Sequence, residues 1–529
     1  MAKRFASILL ITIGIVLASA FVLTLVLFLA PGLSIFGVKY IATGTHVVGV
    51  SESFSELFDG PNVYNSIRVE VDDIPISVMF SQDYIYQLDY YDNFNGLTTS
   101  NLDDPYAKFS RDIDGTVVIK VTSFKKFLYE NPNSNRHIRL LLPSAEIGGS
   151  KRGQVDLTIK AKNSTVHFYE EKKDNYDPEF KNINIETAGK VTSSTNVTAT
   201  NYTLTTLNTI EITDDPVASI NATNYYLTST GGKIVVDREV DGKIVAKTNN
   251  ARIQILKCTN FEAESGFGDI YCSRKDAEVI INGSATINTT AGVVDIGSIN
   301  GASTKSTITT KTGNVRIKKV YDLDISTTRG FVRVNSGRKL NITTSSGDVI
   351  VEEATTSVKV ETKRGKVNLG GNLSVHNPTV ESVYGNVNIS SGAGVVNAQV
   401  IKGNMEFSGK NLTKATLKVG GNLTAKELTG EVDIEVDGNA DISFSEFTGE
   451  SKVVGKKAGS TILIQLLQNQ ASTFSYILDG NDVSLFAYNE DDPNNSTQMG
   501  KSTSLVGGTN GQPKLTVKNE GRVLVYYKG

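Results

Sequence analysis

The chain has 529 residues, a formal net charge of −3, 47 glycines, 11 prolines, two cysteines and no tryptophan. Such a balance gives no electrostatic case for binding nucleic acid or a strongly anionic membrane surface. Plentiful glycine with scarce proline fits a turn-rich β protein rather than a disordered one, and the length leaves room for several domains.

Residues 1–4 read as a short cytoplasmic tip. Residues 5–30 (FASILLITIGIVLASAFVLTLVLFLA) carry no charge and exceed the ~20 residues that cross a hydrocarbon core. Lys3 and Arg4 precede the stretch and no basic cluster comes after it. The positive-inside bias therefore predicts a single-pass signal-anchor in the plasma membrane, N-terminus cytoplasmic and the bulk of the chain outside. Ala18-Ser19-Ala20 matches the cleavage pattern of a secretory signal, the rival reading. Ten further apolar residues come after it, more than a signal core needs.

Residues 31–60 read as a membrane-proximal linker. Within 61–150, Ile67–Val71, Ile74–Val78, Thr116–Val121 and His137–Pro143 look like strands bounded by Asn, Asp and Gly. They form either a small β domain or the irregular first coils that cap a longer β stack, since an open sheet edge invites pairing with other chains. Tyr84, Tyr86, Tyr90 and Tyr91 would be a carbohydrate-stacking surface or, more simply, the body of a strand pair.

From 151 to 460 the chain repeats itself. A Gly-x-Φ-x-Φ phrase, with Φ apolar, begins at Gly292, Gly313, Gly330, Gly347, Gly365, Gly385, Gly403, Gly421 and Gly438. Weaker copies begin at Gly153, Gly189, Gly232, Gly242 and Gly268. The period-two alternation puts Val and Ile on one face of a strand and polar residues on the other. A period near 18 residues is too short for a propeller blade of about 40 and marks a solenoid. The glycine supplies either a positive φ or a close backbone approach. Thr289, Thr310, Thr327, Thr344, Thr362 and Ser382 each lie three residues before a repeat glycine and should stack into a hydroxyl column. Asn386, Asn404, Asn422 and Asn439 each sit directly after a glycine. They would line a ligand groove or, as Asn in turns suggests, form a ladder that satisfies its own hydrogen bonds.

Cys258 and Cys272 end strand-like runs. An extracytoplasmic address permits a disulfide between them; two buried free thiols are the alternative. Many Asn-x-Ser/Thr sequons, such as Asn163, Asn201 and Asn422, are candidate glycosylation sites that an Asn- and Thr-rich composition also produces by chance. Residues 461–529 read as a C-terminal β cap. In it Thr461-Ile-Leu-Ile-Gln-Leu-Leu suits a short helix or a strand equally.

The motif Ile342-Thr-Thr-Ser-Ser-Gly347-Asp-Val-Ile-Val351, and the lead from Leu140-Leu-Leu-Pro143 into Gly153-Gln-Val-Asp-Leu157, resemble the bacterial adhesin families whose members are β-solenoid surface domains of unknown function. The resemblance covers roughly residues 60–460 and implies architecture, with no catalytic residues to transfer. The expected class is therefore all-β: a single-strand β-solenoid with irregular β caps, preceded by one transmembrane helix.

Chemistry is sparse. A polysaccharide-cleaving β-helix needs carboxylates clustered on one face over consecutive coils, whereas Asp295, Asp348, Asp433 and Asp441 do not recur at one coil position in consecutive rungs and Arg316 and Arg333 suggest a mixed, solvated face. His46, His137, His167 and His376 lack metal-ligand spacing, and no phosphate or dinucleotide fingerprint occurs. No catalytic residue, metal or cofactor is expected. The sequence reads as a membrane-anchored structural or adhesive surface protein, with a cell-surface glycan or protein as ligand. The alternatives are an envelope scaffold assembling end to end, as bactofilin-like rods do, and a glycan-binding or glycan-cleaving β-helix.

Overall fold

The computed structural model describes residues 2–29, 34–35, 38–41, 47–54, 66–81, 86–93, 96–98, 107–121, 126–128, 137–143, 156–170, 179–213, 219–272, 280–371, 373–468, 473–489 and 492–528. Contacts divide the chain into two units, Met1–Gly232 and Lys233–Gly529. Apart from one helix, both are built from strands.

The first unit opens with the helix Ala2–Leu29. Its 28 residues reach about 42 Å at 1.5 Å per residue, longer than a ~30 Å hydrocarbon layer. Side chains from Ile8 to Val26 are exposed on every side, so none of the described residues covers this part of the apolar cylinder. The Thr12 and Thr24 hydroxyls donate to the carbonyls of Ile8 (2.8 Å) and Ala20 (2.7 Å). These back-bonds leave neither hydroxyl needing water.

Ser34–Ile35, Val38–Ile41, Gly96–Thr98 and Lys126–Leu128 pair antiparallel in a separate small sheet, while most strands of this unit form two walls. In one, Val117–Val121, Ser66–Val71, Asp156–Ala161, Glu179–Thr187, Val197–Thr206 and Ile220–Ser229 stack in parallel and in register. Ile119, Val69, Ile159, Ile185, Leu204 and Leu227 occupy successive rungs of one position, all buried. In the other, His137–Pro143, Ile76–Ser81, Val166–Glu170 and Val191–Ser193 stack in the same way. Sequence order is not spatial order here. The strands of 66–81 lie between those of 117–143 and those of 156–170. Parallel stacking thus already operates at residue 66. It ends in antiparallel strands: Ala107–Arg111 on Val117–Val121, and Gln87–Asn93 with Val47–Ser53 beyond His137–Pro143.

The second unit repeats one coil. Ile234, Ile253, Ile270, Val294, Val315, Val332, Val349, Val367, Val387, Met405, Leu423, Ala440, Ile462 and Val523 are successive partners in one inward column. Each is at most 3% exposed. One coil cannot cover its own apolar residues, so the stability of each comes from its neighbours. Gly242 is not equivalent to the repeat glycines: it lies at a register shift inside the long strand Ile234–Thr248, where Ile244-x-Ala246-x-Thr248 is the hydroxyl-bearing run. Gly153 lies outside the described residues.

Thr461–Leu466 is a strand, stacked on Ala440–Glu446, not a helix. The chain then overshoots and returns. Lys514–Asn519 and Arg522–Lys528 insert between the strands of 451–466 and Ser475–Asn489. Asp492–Gly508 closes this end as an antiparallel, mostly polar edge strand. Such a strand blunts the open edge of a parallel stack.

Candidate functional site

The repeat glycines make one corner of the second unit. A Cβ built on Gly292, Gly313, Gly330, Gly347, Gly365, Gly385, Gly403, Gly421 or Gly438 would overlap the carbonyl oxygen of the glycine one coil earlier. Gly330, Gly365, Gly385 and Gly403 also take φ values of 131° to 156°, which side-chain-bearing residues avoid. Both roles expected for these glycines therefore occur, close approach at all nine and unusual φ at four. A second corner places Asn377, Gly394, Asn411 and Glu427 at φ of 45°, 74°, 61° and 58°, left-handed geometry that Asn and Gly tolerate best.

The hydroxyl column is present and buried. Thr289 and Thr310 accept from the N–H groups of Gly292 (3.1 Å) and Gly313 (2.9 Å). Thr327 and Thr362 donate to the carbonyls of Arg329 and Arg364. Further along, Val400, Val419 and Val436 take over the position.

The Asn column is a ladder. The N–H groups of Asn404, Asn422, Asn439 and Thr461 donate to Oδ1 of Asn386 (3.0 Å), Asn404 (2.9 Å), Asn422 (2.9 Å) and Asn439 (2.8 Å). Asp269, Asn314 and Asp348 accept in the same way from Val293, Phe331 and Lys366. These oxygens are committed to the fold, as the ladder reading expects. A second ladder, which the repeat phrase does not reveal, crosses the first unit: the amides of Asn182, Asn201 and Asn224 donate to Asp156, Asn182 and Asn201 at 2.7–2.9 Å.

Cys258 and Cys272 are buried free thiols. Burial pushes Cys258 up to about 12 and raises Cys272 well above the ordinary range, the opposite of what a reactive thiol needs. Tyr84 lies outside the described residues. Tyr86 and Tyr90 are buried, and burial pushes Tyr86 up to about 12; Tyr91 packs on His137 at 5.0 Å. The tyrosines thus form part of a wall.

The acidic candidates do not converge. Asp295 pairs in register with Arg316, Asp433 with Lys452 and Asp441 with Leu463, while Asp348 caps the Lys366 N–H. His46 lies outside the described residues. His167 contacts the hydroxyls of Thr192 (2.8 Å) and Ser194 (3.2 Å), and both its ring nitrogens face hydroxyls, leaving none for the carboxylate that a Ser-His-Asp arrangement requires. His376 is exposed, beside Ala393 in register. No group of three His, Cys, Asp or Glu suited to a metal occurs among the described residues.

Among the described residues, the first unit carries a larger and a smaller concavity. A groove of about 750 Å³ runs along the rung edge past Lys120, Glu70, Lys160 and Glu186, successive partners of alternating charge. A smaller one, about 260 Å³, is lined by Tyr202, Thr206, Thr192 and Ile210.

The basic residues are not a uniformly mixed face. Arg333 does pair with Glu352 at 2.5 Å. Arg316 lies over the Phe331 ring at 5.2 Å and forms no ion pair among the described residues. Arg364 and Lys402 flank Tyr384 at 5.9 and 5.3 Å from its centroid.

Comparison with protein-family profiles, with curated proteins and with solved structures finds no match.

Proposed function

We propose that this chain is a membrane-anchored surface protein whose β-solenoid stands outside the cytoplasm as a structural or adhesive element. The observation that carries the reading is the union of a fully exposed apolar helix with stacked parallel coils. None of the described residues covers the helix, and Lys3 and Arg4 at its start favour a cytoplasmic N-terminus. The antiparallel strands that end each unit's stack favour a finished element over end-to-end growth. The resemblance to adhesin-type solenoid domains points the same way. No catalytic step belongs to this reading, because the carboxylates are dispersed and the thiols are buried.

Protease treatment of intact cells tests it. Loss of the chain beyond the helix, with an N-terminal tag protected, is the expected result. A protease-resistant chain in cells whose known surface proteins are digested would refute the orientation. Release of the chain, lacking its first 20 or so residues, would replace the anchor with a cleaved signal.

A further inference from the structure

One face of the glycine corner is basic out of proportion to the chain. At the six repeat glycines from Gly313 to Gly403, the flanking residues include Lys311, Arg316, Arg329, Arg333, Lys363, Arg364, Lys366 and Lys402. Against these eight cations stand two carboxylates, Asp348 and Glu406, in a chain whose net charge is −3. All eight cations are exposed. Arg333 alone is ion-paired, with Glu352; Arg316 has Asp295 as its neighbour in register without an ion pair, and the other six have no carboxylate partner among the described residues. Asp348 is already engaged with the Lys366 N–H. Glu361 and Glu381 border the ridge, and Lys359 holds Glu361 at 2.5 Å.

The register makes these residues a line. Arg329 pairs with Ser346, Arg364 with Tyr384 and Tyr384 with Lys402, and the Gly347 N–H bonds the Arg364 carbonyl. Arg329, Arg364 and Lys402 therefore recur every second coil, about 10 Å apart at ~4.8 Å per coil. Tyr384, 46% exposed, lies between the last two with a cation on each side.

The unpaired cations of this row, Lys311, Arg329, Arg364 and Lys402, raise one another's energy, and a polyanion relieves that. A row with a two-coil repeat matches a linear polymer with one acidic group per disaccharide better than a point ligand. The exposed aromatic ring offers sugar a face to stack on, as an apolar body among polar groups. We propose that this ridge binds an extended acidic polysaccharide, carboxylated or sulfated, running parallel to the coil stack. The inference rests on the extracytoplasmic reading, where such polymers are met, and gives the adhesive role its ligand class.

The test uses the full chain in detergent, with hyaluronan, which carries one carboxylate per disaccharide, and the sulfated heparin as the two anionic probes and dextran as the neutral one. Binding of either acidic polymer but not dextran, weakening with salt, is expected. Arg364→Glu with Lys402→Glu should weaken it about tenfold or more, whereas Lys160→Glu in the first unit should leave it within about twofold. Tyr384→Ala should weaken it several-fold without changing the salt dependence, which separates stacking from charge. Arg364→Lys, keeping the charge, guards against a folding artefact, and circular dichroism verifies each variant. Failure of both acidic polymers to bind, or binding indifferent to the charge reversals, overturns the proposal. So does charge-dependent binding only to anionic lipid vesicles or only to duplex DNA, each offered in parallel. Because binding is measured on purified protein, a failed cell-surface protease result would sink the orientation alone, and a failed binding result the ligand alone.

Discussion

Gly385 is the sharpest test of the corner. It combines φ of 145° with a Cβ position that overlaps the Gly365 carbonyl oxygen. For Gly385→Ala, a glycine-only backbone costs ~1–3 kcal/mol and forced overlap in a tight stack a further ~1–3 kcal/mol. The expected loss is thus about 2–6 kcal/mol. Three other glycines separate the two causes. Gly347 has the overlap without the unusual φ, so Gly347→Ala should lose ~1–3 kcal/mol. Gly459 has φ of 80° and nothing within 4 Å, so Gly459→Ala should lose about 1 kcal/mol. Gly371 has neither, and Gly371→Ala should stay within ~0.5 kcal/mol. Urea unfolding of the full chain in detergent gives the magnitudes, and hydrogen exchange by mass spectrometry gives the location. Exchange should rise mainly in Pro378–Tyr384, Val387–Lys402 and the coils on either side, since stability in a solenoid passes between neighbours. If Gly385→Ala behaves like Gly371→Ala, the stacked-glycine account is wrong.

In the Asn ladder, Asn404→Ala should cost about 1 kcal/mol and speed exchange of the Asn422 amide, while Asn404→Asp, which keeps the acceptor as Asp348 does, should not; equal effects would show that the side-chain oxygen is idle. Glu427 adopts φ of 58° at the second corner with only an exposed partner, Lys410 at 3.2 Å, so Glu427→Gly should raise stability by about 1 kcal/mol, and a drop on urea unfolding would contradict this. Native Cys258 and Cys272 should resist an aromatic disulfide reagent, and both should react after unfolding in denaturant; neither reacting then would mean that the two are bonded. Burial holds the Cys258 proton up to about 12 against an ordinary 9.0. The folded state therefore retains a proton that the unfolded chain releases. This thiol's contribution is complete below the ordinary value and declines as pH rises from it towards about 12. Melting curves between about pH 8 and 11 should show a shallower alkaline decline in Cys258→Val; an unchanged slope would remove the thiol from the account.

The period of the repeat by itself determined the coil. Val332, Val349 and Val367 could share a column only if one phrase was one turn, because alternation sets the face and the fixed period sets the register. The uncharged stretch near the N-terminus likewise specified its helix through length and composition alone. Tertiary structure decided what depends on contacts between turns. Nothing local to residues 66–81 or 514–528 says that each inserts between strands elsewhere in the sequence; that order comes from which apolar edge is left uncovered. The Asn386–Asn439 spacing showed a column, yet only the distance to the next coil's N–H distinguished a ladder from a groove. Lys311, Arg329, Arg364 and Lys402 stood at related offsets from their glycines all along. That they form an unpaired ridge became visible only when their outward neighbours were placed beside them, because charge pairing is a matter of distance, not of sequence.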